Sequence, residues 1–177
     1  MIKVPGEFGS VANFIDEKDL QDAVRILKSF PSNPATTGIC HGVSIDHKGY
    51  LWFKKTMMTR LEKYFGRDLK LVFGMYLDLY KPFTVHSDIR PCEGEVYASC
   101  LIPVSVDNNP ELCNLAHTKI YHESDAGGTP PPANPTERAI CTWNRGDLIW
   151  WHTPVFHCSG DFVNFDTKQC IVVHTYV

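Results

Sequence analysis

The sequence predicts a mainly β fold, a barrel or sandwich, with helices packed in front of it. Three observations carry that expectation. The spacing of apolar residues changes near residue 67 from a helical period to short β-type runs. About eight such runs follow, separated by Pro-, Gly- and Asn-rich turns. The length, 177 residues, suits one domain rather than two full cores. The expected division is a single domain, 1–177, with a helical N-terminal extension over 1–67 and the β core over 68–177.

The elements follow in order. Asp16 caps a first helix, with acidic Asp19 in its first turn and Leu20, Ala23, Val24, Leu27 and Phe30 at helical spacing until Pro31 stops it. Tyr50, Phe53, Met57, Leu61 and Tyr64 mark a second helix, with Lys54, Lys55, Arg60 and Lys63 off the stripe and Gly66 placed to end it. These Met and aromatic stripes read as core packing. Strand-like runs then lie near 69–80, 83–88, 96–106, 115–122, 138–143, 148–152, 155–159 and 168–176. The Pro/Gly stretch at 126–135 precedes only some forty residues, too few for a core of their own, so it reads as a surface loop.

Composition narrows the function. Apolar residues at 44% and charged residues at 21% are ordinary globular usage, which excludes disorder, collagen and coiled coil. A net charge of -3 argues against a protein that holds nucleic acid through its phosphates. No run reaches the ~18 apolar residues of a membrane span, and Met1-Ile2-Lys3-Val4-Pro5 lacks the apolar core of a signal peptide, so a soluble, cytoplasmic protein is expected. The seven cysteines show no C-x-x-C spacing and mostly sit in apolar runs, where they read as reduced, buried side chains.

Three features can carry chemistry. His86-Ser87-Asp88 places an imidazole and a carboxylate two residues apart, hence on one face of a strand, which is two-thirds of a facial triad for Fe(II). The block from Gly146 to Gly160 reads as turn, apolar strand, Thr153-Pro154 turn and second strand, and offers His152 or His157 as the third ligand. Lys168 opens the apolar last run, where a lysine points inward only to meet an anion and otherwise sits at a strand edge in solvent. Spacing favours His157. It stands ten residues after Asp147 and eleven before Lys168, whereas His152 falls at the turn rim before Pro154.

The order His86, Asp88, His157, Lys168 resembles that of the Fe(II)/2-oxoglutarate-dependent dioxygenase superfamily, over the final ~110 residues. The Gly146-Asp147-Leu148 lead-in with a His ten residues after the Asp looks like the prolyl-hydroxylase and phytanoyl-hydroxylase branches. The resemblance implies a double-stranded β-helix (jelly-roll, cupin-like) core with the N-terminal helices packed on it. It implies Fe(II) on His86, Asp88 and His157, and 2-oxoglutarate and O2 as cosubstrates. Lys168 would hold the far carboxylate of 2-oxoglutarate, and a strand tyrosine upstream of the H-x-D, Tyr76 in preference to Tyr80, would help. Succinate and CO2 would leave as a C–H bond of a peptidyl (for example prolyl) or small-molecule substrate is hydroxylated, with Arg90 as a substrate contact. Candidate lids are 31–48, the loop after 96–106 and 126–135.

There are departures. The basic residue is Lys168 rather than the Arg of phytanoyl-type enzymes. Lys168-Gln169-Cys170 stands where many members have Arg-x-Ser. Position 174 is His where the nucleic-acid demethylase branch has a further Arg, so no nucleic-acid partner is expected, nor a membrane. The other readings are a non-catalytic cupin-like binding module and a structural zinc site on His157, Cys158, Cys170 and His174. The zinc site is disfavoured because adjacent strand residues face opposite ways.

Overall fold

The helix expected after Asp16 is present as α1 (Glu17–Lys28). The Asp16 carboxylate accepts the Asp19 backbone N–H at 2.9 Å, and Leu20, Ala23 and Leu27 are buried along one face. The structure, a computed structural model, describes residues 8–35, 37–43, 49–88, 96–124 and 130–177. The second helical region runs as α2 (Gly49–Phe53), a π-helical stretch over Lys54–Met58, and α3 (Thr59–Phe65). The wider π turn shifts the buried stripe by about one residue. Met57 and Met58 are both buried, and Phe65 takes the core position expected for Tyr64. Tyr64 instead lies partly buried, its hydroxyl accepting the Trp150 indole N–H at 3.2 Å. Gly66 ends α3 in the left-handed conformation, φ 67°, which glycine adopts without steric cost.

The strands are β1 (Phe8–Val11), β2 (Ser32–Ala35), β3 (Gly38–Val43), β4 (Lys70–Leu79), β5 (Val96–Val106), β6 (His117–Ser124), β7 (Glu137–Thr142), β8 (Leu148–His152), β9 (Val155–Ser159) and β10 (Lys168–Tyr176). All named pairings are antiparallel. They give a seven-stranded sheet in the order β1-β8-β5-β10-β4-β3-β2 and a three-stranded sheet in the order β7-β6-β9. This is the mainly β, jelly-roll architecture with helices on one side. Two expectations need correction. The N-terminal third is not purely helical, because β1, β2 and β3 extend both ends of the large sheet. Their four to six residues carry Gly, Ser and Pro with little alternation, so it is pairing with β8 and β4, not local pattern, that makes them strands. The run at 83–88 belongs to neither sheet; only His86 bridges, to His157.

The large sheet separates two interiors. On one face Tyr76, Cys100, Ile102, Trp150, Ile171 and Val173 pack against the helices. Phe53 presses so close to β4 that a side chain at Gly74 would meet its ring at 2.5 Å. On the other face Leu77, Leu101, Ile149, Trp151, Cys170 and Val172 turn toward the small sheet. Alternation along each strand therefore decides which residues see the space between the sheets. Among the described residues no helix is long and apolar enough to cross a membrane.

Candidate metal centre and its cavity

A cavity of about 520 Å³ opens between the two sheets, and His86, Asp88 and His157 line it together. The segment before β5 supplies the first two residues and β9 the third. Reciprocal backbone hydrogen bonds tie His86 to His157, at 3.0 and 2.9 Å, and the Asp88 N–H donates to the Thr153 carbonyl at 3.1 Å. One potential ligand atom from each residue falls within 4.8 Å of the others. Asp88 Oδ2 stands 3.3 Å from His157 Nε2, and Asp88 Oδ1 stands 3.7 Å from His86 Nε2.

The imidazoles are oriented for coordination. Nδ1 of His86 lies 2.7 Å from the Thr84 carbonyl and Nδ1 of His157 lies 3.1 Å from the Val155 carbonyl. A carbonyl only accepts, so each Nδ1 carries the proton and each Nε2 keeps its lone pair for a cation. Burial drives the His157 pKa down to about 4, against the pull of Asp88. Burial pushes the Asp88 carboxyl up, but His157, His174 and His86 together outweigh it and leave the group below the usual carboxylate range. Neutral imidazole and ionised carboxylate at neutral pH are the states that metal binding requires. Two neutral nitrogens with one carboxylate suit Fe(II) and its divalent relatives. His152 does not line the cavity, so of the two candidates the geometry brings His157 to the H-x-D pair.

Lys168 lies in the same cavity, 1% exposed, paired with Leu79 of β4 and Val106 of β5. Its ammonium stands 4.4 Å from the centre of the Trp143 ring and 5.3 Å from that of Phe162. Among the described residues no carboxylate lies within ion-pairing distance. Burial, partly opposed by Cys170 and Cys158, lowers its pKa to about 8. Thr118, Cys158 and Ser159 also face this end of the cavity.

Tyr76 is a correction. Its neighbours Met75 and Leu77 line the cavity, so period-two alternation sends Tyr76 to the helix-covered face. There it is 2% exposed, beneath the Lys28 ammonium at 5.0 Å. Tyr80, the other candidate, is 48% exposed and bonds the Ala35 carbonyl. Neither lines the cavity. Arg90 and part of the expected lids, residues 36, 44–48 and 126–129, fall outside the described residues.

Sequence reading missed the support around the triad. The Trp151 indole donates to Asp88 Oδ2 at 3.0 Å, and its ring lies 4.3 Å from that of His157. His174 stacks on Phe73 at 4.2 Å, both lining the cavity. A signal for both was available. Trp151 shares parity with Ile149 on β8, and His174 shares parity with Lys168 on β10.

No protein-family model and no curated protein matches the chain. Solved structures do. An oxidoreductase of the 2OG-Fe(II) oxygenase family from Burkholderia pseudomallei aligns at 12% identity and TM-score 0.66, over 96% of this chain and 84% of that one. HygX from Streptomyces hygroscopicus, with nickel and 2-oxoglutarate bound, aligns at 10% and 0.67, over 96% and 82%. A Pseudomonas putida prolyl-4-hydroxylase aligns at 10% and 0.62, over 97% and 93%. The chain therefore has the fold of the Fe(II)/2-oxoglutarate oxygenases, and the resemblance read from its motifs is matched in three dimensions at the level of the fold.

Proposed function

We propose that the protein is a non-haem Fe(II)- and 2-oxoglutarate-dependent dioxygenase. The observation that carries this reading is the convergence of His86, Asp88 and His157 in one cavity with a buried lysine that has no carboxylate partner among the described residues. The solved oxygenases supply the fold, and the nickel and 2-oxoglutarate in HygX show that a protein of this fold holds both. A bare binding module of the same fold has no need of these four side chains together.

His86, Asp88 and His157 would hold Fe(II) on one side, leaving the cavity side open. When bound there, the metal supplies the O2-dependent oxidative decarboxylation of 2-oxoglutarate to succinate and CO2, coupled to oxidation of a substrate C–H bond. The chain's own residues do the positioning. Lys168 would meet the distal carboxylate in a nearly dry pocket, where the pair is strong provided that hydrogen-bonding groups such as Thr118 and Ser159 complete it. Trp151 fixes the orientation of the Asp88 carboxylate. Hydroxylation is the expected outcome. The test is succinate release from 2-oxoglutarate with and without Fe(II), across peptide and metabolite panels. Absence of 2-oxoglutarate binding by metal-loaded protein would remove the proposal.

A further inference from the structure

The cavity is chemically polarised, and that polarity bears on what it accepts. On β10 the cavity-facing residues are Lys168, Cys170, Val172 and His174, spanning roughly 20 Å at about 3.3 Å per residue. At the Lys168 end the wall carries the cation, the Thr118 and Ser159 hydroxyls and fully buried Trp143. Toward the His174 end the half-buried residues Phe73 and Met75 line the cavity, and half-buried Phe83 stands beside His86. Apart from the triad, Lys168 and His174, no described residue lining the cavity is an Asp, Glu, Lys, Arg or His. On the reading above, 2-oxoglutarate takes the Lys168 end, and the metal takes Asp88 with the two histidines. A charged substrate would then meet mainly apolar side chains among the described residues, with the His174 imidazole the only titratable group at that end to offset its desolvation.

Peptide capture is also poorly served. The edge of the large sheet that reaches the cavity, through Ala35, is β2, only four residues long, and its Pro34 has no N–H to offer a docking strand. The volume falls within the range of pockets that enclose small organic molecules.

From this polarity we infer that the substrate is a small, uncharged and predominantly apolar molecule, which reaches the metal across Phe73, Met75 and Phe83. The inference rests on the oxygenase reading for the place of 2-oxoglutarate. The experiment loads the protein with Mn(II) and saturating 2-oxoglutarate, whose binding is measured separately by calorimetry. It then titrates N-phenyl-1-naphthylamine, its sulfonated relative 8-anilinonaphthalene-1-sulfonate, and 1-naphthylmethylammonium. The neutral probe should bind about tenfold or more tightly than either ion. Met75→Lys should weaken the neutral probe about fivefold or more and raise the relative affinity of the sulfonate, with 2-oxoglutarate affinity unchanged. If that variant does not fold, Phe83→Lys on the adjoining loop makes the same test. Equal or tighter binding of an ion, or a neutral probe indifferent to a folded variant, would overturn the inference. Failure of 2-oxoglutarate to bind, with the probe preference intact, would instead strike the oxygenase reading.

Discussion

Asp88 is held from two sides, its backbone N–H by the Thr153 carbonyl and one carboxylate oxygen by the Trp151 indole, with the two Nε2 atoms facing the carboxylate. Asp88→Ala should therefore abolish both metal uptake and succinate release while far-ultraviolet circular dichroism stays native, since the strands position the ligands. Retained iron in that variant would refute the site. Trp151→Phe keeps an aromatic ring but loses the indole N–H and its hydrogen bond, and metal affinity or activity should fall about 10- to 100-fold. His157→Ala should lose metal and His152→Ala should keep it, as measured by metal content after dialysis. Lys168 is the other decisive residue. Its pKa, lowered to about 8, lies below that of an exposed lysine, so its charge burdens the fold. The burden is full below pH 8 and is relieved as pH rises from there toward the unfolded value, because over that interval the unfolded chain holds the extra proton. Lys168→Met should accordingly stabilise ligand-free protein by on the order of 1–3 kcal/mol at pH 7, and by less as pH rises, in chemical denaturation. The same variant should need far more 2-oxoglutarate.

At the scale of elements, β10 matters most. Flanked by β4 and β5, it carries Ile171 and Val173 into the helix-packed core and Lys168, Cys170 and Val172 into the cavity. A slip of one residue would exchange the two sets and bury Lys168 under the helices. Gln169, on the face opposite Lys168, is held by Ser105 and Asp78, each hydrogen bond 2.8 Å. These bonds help to pin the register. The close approach of Phe53 to β4 gives a second check on the packing. Gly74→Ala should cost about 1–3 kcal/mol, because its Cβ would overlap the Phe53 ring and force α2 outward. A neutral result in a thermal melt would mean that α2 yields more easily than a packed element should.

Across the whole molecule, the candidate site joins the two sheets. The small sheet brings His157, the large one brings Lys168, and the segment carrying His86 and Asp88 bridges them through His157 and Thr153. Ligands that bind only the folded protein should therefore raise its stability by mass action. Mn(II) with 2-oxoglutarate at about 100 times the dissociation constant should add about 2.7 kcal/mol, or roughly 5–10 °C in Tm for a chain of this length. His157→Ala should show no such shift in differential scanning fluorimetry.

The sequence by itself determined the chemical inventory and its order. The H-x-D spacing puts His86 and Asp88 on one side of any extended segment, Lys168 heads an apolar run, and the change of period near residue 67 announces a β core, because these are local consequences of backbone geometry. It could not determine which face of β4 looks inward. That parity depends on register with β10 and on where the helices pack, and it turned Tyr76 away from the cavity. Nor could it reveal β1, β2 and β3, which are strands only because β8 and β4 offer partners. The Trp151 bond to Asp88 spans 63 residues, and the His86–His157 bridge 71. Contacts at such separations have no local signature. They exist only once the two sheets have closed on each other.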